Sequence, residues 1–323
     1  MISQSVFESC VMRAALAPSV HNTQPARWAR EGDVLSLFCD TDVGLTIGDP
    51  TGRDAALSCG AVLEAMVMAL SAHGLGATVA YTGQSTEPDQ GVVRVADITI
   101  AAGEGEDVLH PQLEQRFTWR GAFKSEPAAL FGWTRSDVRL ITDQTSKEWV
   151  ADQNDWASHQ IMQNRSFRDE LLSWMRLYDS HPRVGFDGMN RASMNMGVGE
   201  ARVAPFVLTK LWRMMHMFGM TKRVTSERSV TVATPVVALF HRDIQEDPVV
   251  SGRAYLRMCL EATSLGFTGW PMAALTDHPT AHEATNKRFG ITPDRRLIQA
   301  IRFGKPEGVA PPRARRPLDE ILI

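Results

Sequence analysis

Cysteine is scarce in this 323-residue chain, with four residues (Cys10, Cys39, Cys59, Cys259) and no C-x-x-C pair. That scatter argues against a disulfide framework and predicts buried thiols in a reducing compartment. Glycine-rich phosphate loops are missing: neither G-x-G-x-x-G nor G-x-x-x-x-G-K occurs, so neither a Rossmann nor a P-loop nucleotide site is expected. No G-x-S-x-G elbow is present for serine hydrolase chemistry. His278 and His282 lie four apart, but Pro279 stands where an H-E-x-x-H zinc site needs glutamate. Residues 1–20 show no basic region followed by an apolar run, so no signal peptide is expected and the cytoplasm is the expected compartment. The longest apolar run, 61–72, is broken by Glu64 and is short for a bilayer. Neither sign of charge dominates: 34 Lys and Arg against 37 Asp and Glu give a net −3. No attraction to nucleic acid or to an acidic membrane surface is expected from that balance.

What is present is an ordinary globular composition, 44% hydrophobic and 22% charged, on a chain long enough for two domains. Val6, Phe7, Cys10, Val11 and Ala14 repeat at helical spacing, and Pro18 ends that helix. The stretch Ala17-Pro18-Ser19-Val20-His21-Asn22-Thr23-Gln24-Pro25 then reads as a stiff loop crowded with small hydrogen-bonding side chains. Strands are expected at 34–40, 77–81 and 92–100, with a long apolar helix over 54–73 stopped by Gly74. Residues 101–107 read as a linker. Beyond it come a strand at 138–142, helices near 146–162 and 166–178, and a strand at 230–240 whose Pro235 suggests an edge or a bulge.

Part of this order recurs. Asp49-Pro50…Gly52-Arg53…Leu63-Glu64-Ala65…Gly74-Leu75-Gly76 returns as Asp247-Pro248…Gly252-Arg253…Leu260-Glu261-Ala262…Gly266-Phe267-Thr268-Gly269. A period near 200 residues is no solenoid. It predicts two related halves in one chain, 1–107 and 108–323, the equivalent of a homodimer made covalent.

Two arginine-rich runs remain. Arg116, Thr118 and Arg120 stand at alternate positions, which share a face in an extended segment. Arg313, Arg315 and Arg316 repeat the device near the C-terminus. Bidentate guanidinium groups suit a phosphate monoester, at roughly 1.5–3 kcal/mol per charge-assisted contact.

Taken together, these motifs resemble the nitroreductase family of FMN-dependent oxidoreductases. Ala-Pro-Ser-x-x-Asn-x-Gln-Pro is similar to the family's flavin-ring loop, and Arg-x-Thr-x-Arg-x-x-Phe to its phosphate motif. The segment 300–306 with Arg313-Ala314-Arg315-Arg316-Pro317 is similar to its last strand and basic tail. The fused halves and Leu275-Thr276-Asp277-His278-Pro279 resemble the Acg-type branch more narrowly. The resemblance implies an α+β pseudo-dimer with one FMN between the halves. Arg116, Thr118, Arg313 and Arg315 would grip the phosphate, and Arg120 would turn inward to the ring edge. Pro18, Ser19 and Asn22 would meet the ring from the first half, and Pro271, Met272 and Ala273 from the second. It implies a ping-pong oxidoreductase passing hydride from NAD(P)H to a nitroaromatic or quinone acceptor, or else a flavin-storing protein. No catalytic side chain and no metal are implied. The fused chain is expected as a monomer, with further dimerisation left open.

Residues 180–222 match the family least. Seven of the chain's 15 methionines lie between Met189 and Met220. Methionine covers irregular apolar surface well, so the segment reads either as a helical pair packed on the core or as a lid over the flavin face.

Overall fold

The computed structural model describes residues 2–82, 91–103, 105–125 and 133–323. Two four-stranded antiparallel sheets carry the fold. The first contains β1 (Ala26–Glu31), β2 (Val34–Asp40), β3 (Leu75–Tyr81) and β4 (Val92–Ala102), in the order β1-β2-β4-β3. β5 (Val138–Ile141) precedes a two-residue parallel pair, β6 (Met175–Arg176) with β7 (Met189–Asn190). The second sheet joins β5 to β8 (Val236–Asp243), β9 (Thr268–Pro271) and β10 (Arg295–Gly304), in the order β5-β8-β10-β9. In each sheet the fourth strand inserts between the second and third. A long helix also bridges the second and third strands in both: Arg53–Ser71 in the first half and Pro248–Ser264 in the second. The recurrence in the sequence is therefore a recurrence of topology.

Those two helices cross closely where each carries a glycine. A Cβ on Gly60 would lie 2.0 Å from the Val249 carbonyl oxygen, and one on Gly252 would lie 2.1 Å from that of Leu57. The structural partner of Gly252 is thus Gly60. Gly52, its partner in the sequence repeat, instead caps Arg53–Ser71 with φ +68. Glu64, the acid inside the apolar run, is buried and takes Arg253 at 2.5 Å and Arg257 at 2.6 Å from the other half. Arg53–Ser71 is the one described helix long and apolar enough to cross a membrane. Two thirds of its apolar window is buried inside the fold.

Other elements shift from expectation for local reasons. The strand expected at 230–240 begins only at Val236; Val230 and Val232 belong to the helix Arg228–Ala233. Pro235 precedes the first paired residue, so β8 is an internal strand with no donor lost. Ala101 and Ala102 extend β4 into the expected linker, in which Glu104 lies outside the described residues. Segment 180–222 forms turns and then short helices, Val198–Leu208, Trp212–Met217 and the start of Thr221–Val224. The C-terminal tail returns to the first half, where Trp28 N–H donates to the Ile321 carbonyl at 2.9 Å. Cys10 and Cys59 are buried, and all four cysteines are free thiols.

Candidate functional site

The helix Gln4–Ala14 is capped by Ser3 and buries Phe7, Cys10, Val11 and Ala14, which fixes where the chain enters the loop at Pro18. Three non-glycine residues follow in left-handed backbone: His21 (φ 44), Asn22 (φ 57) and Gln24 (φ 53). Such residues persist only where their surroundings over-determine them, and here they do. Ser19 Oγ accepts from Gln24 N–H at 3.0 Å, and Ser58 Oγ accepts from Val20 N–H at 3.1 Å. Asn22 Nδ2 donates to the carbonyls of Gly188 (3.0 Å) and Ala314 (3.2 Å). Gln24 donates to the Phe186 carbonyl at 2.8 Å and accepts from Arg316 N–H at 3.0 Å. The loop is thus locked to two segments far away in sequence.

The arginines meet at its rear. Arg116 and Arg315 donate to the same acceptor, the Leu16 carbonyl, at 3.0 and 3.1 Å. Arg315 also donates to Asn22 Oδ1 at 3.1 Å, and Arg313 to the Arg116 carbonyl at 2.9 Å. Among the described residues neither Arg116 nor Arg315 has a carboxylate partner, and the Nε of each is buried without a hydrogen-bond acceptor. Burial first, then the neighbouring charges of Arg116 and Arg313, pulls Arg315 down to about 9, still protonated at neutral pH. Burial lowers Arg116 too. Uncompensated buried charge is strongly unfavourable, so an anion placed here would be stabilised.

The second wall belongs to the other half. Thr118 pairs with Gly269 at the start of β9, and Trp119 N–H donates to the Gly269 carbonyl at 3.1 Å. β9 ends at Pro271; Met272 is buried and donates its N–H to the Ala300 carbonyl at 2.7 Å, while Ala273 stays exposed. Arg120 takes a different partner from Arg116, the Ser193 carbonyl at 2.8 Å. Its charge still reaches the loop: burial first and then Arg120 pull His21 down to about 4.

The structure therefore brings Ser19, Asn22, Arg116, Arg313 and Arg315 into one hydrogen-bonded cluster. It places Thr118 beside β9, the strand that leads into Pro271, Met272 and Ala273, and ties Arg120 to the insert. Pro18 shapes the loop entrance and has no N–H to give. Asn22 departs from expectation in one respect, since its amide is occupied by protein partners on both ends. A cavity of about 20 Å³ beside Ser19 and Gln24 has room for little more than a water. A larger groove along Arg139, His241 and Arg295 lies at the outer edge of the second sheet, among residues unconnected with this cluster.

Two features escaped the sequence reading. Asp187 is buried and receives Arg176 (2.8 Å), Arg183 (2.7 Å) and Arg316 (3.0 Å), which pins the insert to the tail. Asp277 lies one turn beyond Ala273, 3.8 Å from Arg53, which also contacts Asp54 at 3.2 Å. Burial, then the Asp54 charge, pushes the Asp277 carboxyl up to about 7. Its side chain keeps 28% of its surface open, so it sits in a crowded recess with an outlet. Asp187 carried no local signal, because its three partners are spread over 140 residues. Asp277 did lie in the motif 275–279, yet nothing there announces a neighbouring Asp54.

Comparison with known proteins places these features. The candidate NAD(P)H nitroreductase Acg of Mycobacterium tuberculosis H37Rv is 41% identical over 186 residues, 56% of this chain. Over that stretch the chain is similar to Acg. That alignment spans about half (52%) of the relative's own length. A second M. tuberculosis H37Rv protein, uncharacterized, is 27% identical over 98% of this chain and 92% of its own. No family model matches. Among solved structures, a candidate nitroreductase from Anabaena variabilis ATCC 29413 covers 95% of the chain and 90% of its own, at 9% identity and TM-score 0.49. The FMN-dependent nitroreductase NfnB from Mycobacterium smegmatis, solved in complex with NADPH, covers 65% of this chain and 94% of its own, at 18% identity and TM-score 0.35. The kinship of the two halves is read from their shared strand order rather than from those scores.

Proposed function

We propose that the chain holds one FMN between its halves and works as an NAD(P)H-dependent oxidoreductase on nitroaromatic or quinone-type acceptors. The observation that carries this reading is the pair Arg116 and Arg315, buried and half-buried on one carbonyl, with no carboxylate partner among the described residues and with buried, unsatisfied Nε groups. A phosphate monoester supplies the missing charge and acceptors, and Arg313 stands at its rim. In this reading the loop 17–25 from the first half and the backbone at 271–273 from the second would enclose a flat ring. Bound there, FMN would supply two-electron transfer; protein groups bind, orient and tune it. Arg120 brings positive charge to the ring side of the cluster. Asp277, with a carboxyl that titrates near neutrality, can hold and release a proton at Oδ beside the same wall.

A second reading, flavin storage without turnover, has its own support. Residues 185–193 are hydrogen-bonded to the loop through Phe186 and Gly188, to Arg315 through Gly185 and to Arg120 through Ser193, and in this reading they would obstruct nicotinamide and acceptor. Spectra of fresh protein separate the readings. A yellow preparation that NADPH bleaches under anaerobic conditions supports the oxidoreductase. A yellow one that bleaches only as Asp187→Asn, with an unchanged circular dichroism spectrum, supports storage under a closed latch. Protein that is colourless and takes up no added FMN in a fluorescence titration defeats both.

A further inference from the structure

The whole-chain charge of −3 hides a local segregation. Residues 198–224 hold five Lys and Arg and one carboxylate, Glu200. Lys210, Arg213, Lys222 and Arg223 are all exposed, and none forms an ion pair among the described residues. Between them the chain projects apolar side chains into solvent: Met214, Met217, Phe218 and Met220, with Met217 72% and Phe218 70% exposed. Single exposed apolar residues need no explanation, but a contiguous patch marks an interaction site.

The patch is held out on a fixed base. Trp212 is buried and stacks on the Arg168 guanidinium at 4.7 Å. Thr221 is buried and hydrogen-bonds His159 at 3.1 Å. The intervening turn, closed by Gly219 at φ +69, therefore protrudes as a unit.

We propose that this tip docks on an anionic lipid surface, its apolar side chains entering the headgroup boundary and the four cations facing the phosphates. Charge decides against a second copy of the chain, since a two-fold contact would press the same unpaired cations together. Shape decides against a protein groove-binding mode in which this segment supplies the groove, because the two most exposed side chains stand proud. An apolar tip rimmed by Lys and Arg is the pattern that interfacial helices use, with roughly 1 kcal/mol per cation near an anionic surface. The proposal is independent of flavin binding.

Vesicle co-sedimentation of the full chain tests it, with phosphatidylcholine vesicles containing or lacking half phosphatidylglycerol. Binding is expected only to the anionic vesicles, and it should fade at 0.5 M salt as screening shortens. Lys222→Gln with Arg223→Gln should weaken binding about 30-fold, the equivalent of two cations. Met217→Gln with Phe218→Gln should abolish it; both pairs are exposed, so far-ultraviolet circular dichroism should stay unchanged. No binding to anionic vesicles overturns the proposal, as does equal binding to neutral ones or binding indifferent to both double variants. So does a concentration-dependent dimer in sedimentation velocity that Met217→Gln with Phe218→Gln dissolves.

Discussion

Arg116, proposed above to hold a phosphate, shows how such a residue would differ from one built for stability. It is buried, makes one hydrogen bond to a backbone carbonyl and leaves Nε unsatisfied. Replacing it should therefore cost the ligand-free fold little. We expect Arg116→Ala to leave the melting temperature of FMN-free protein unchanged or raised, while FMN affinity in titration falls roughly 10- to 100-fold, the loss of one charge-assisted contact. A fall in both would make Arg116 a structural residue. His21 has the opposite sign of interest. Its folded pKa is depressed to about 4, so between that value and the ordinary 6.5 the unfolded chain binds a proton that the folded chain refuses. Stability should drop as pH falls from 6.5 to 4, by about 3 kcal/mol at most, and level off below. His21→Asn, which tolerates the same left-handed backbone, should flatten that slope in urea titrations across the range. The arginines themselves were legible from their alternation. Their shared acceptor was not, since a backbone carbonyl such as that of Leu16 has no letter of its own.

At the scale of elements, periodicity predicted half of the strands and the long helix of the first half, because alternation and apolar spacing are local. What pairs with what is not local. The repeat drew Gly252 toward Gly52, but contact between the helices selects Gly60, since only there would a Cβ strike the facing backbone. Glu64 likewise read as an interruption of an apolar run, and its reason lies in Arg253 and Arg257 on the other half. The crossing makes a sharp prediction. Gly252→Ala must push apart two helices whose backbones already touch, and overpacking of this kind costs about 1–3 kcal/mol. The thermal midpoint should fall by several degrees. Gly199→Ala, at a helical glycine with open space around its Cβ position, should not lower it. Equal effects would mean that the loss is one of glycine flexibility and not of contact.

The whole molecule is asymmetric although its halves share a topology, and that asymmetry bears on the proposed number of cofactors. The cluster at Leu16 draws its loop from the first half and its arginines from 116 and from the tail at 313 and 315. The tail reaches it by crossing back to β1, where Trp28 and Ile321 pair. A mirror-image site would need a second Arg-x-Thr-x-Arg segment packed against the second half. It would also need an Ala-Pro-Ser-x-x-Asn loop after Phe123, and none occurs there. The mirror-image site therefore lacks its ring loop. We therefore expect protein saturated with FMN and freed of excess to contain one flavin per chain, by absorbance after denaturation against amino-acid analysis. Substitution of Arg315 by Gln should lower that ratio at limiting flavin without creating a second class of site. A ratio near two would mean that the second half binds flavin through residues unrelated to the Leu16 cluster, and the covalent pseudo-dimer would have kept both sites of the dimer it resembles.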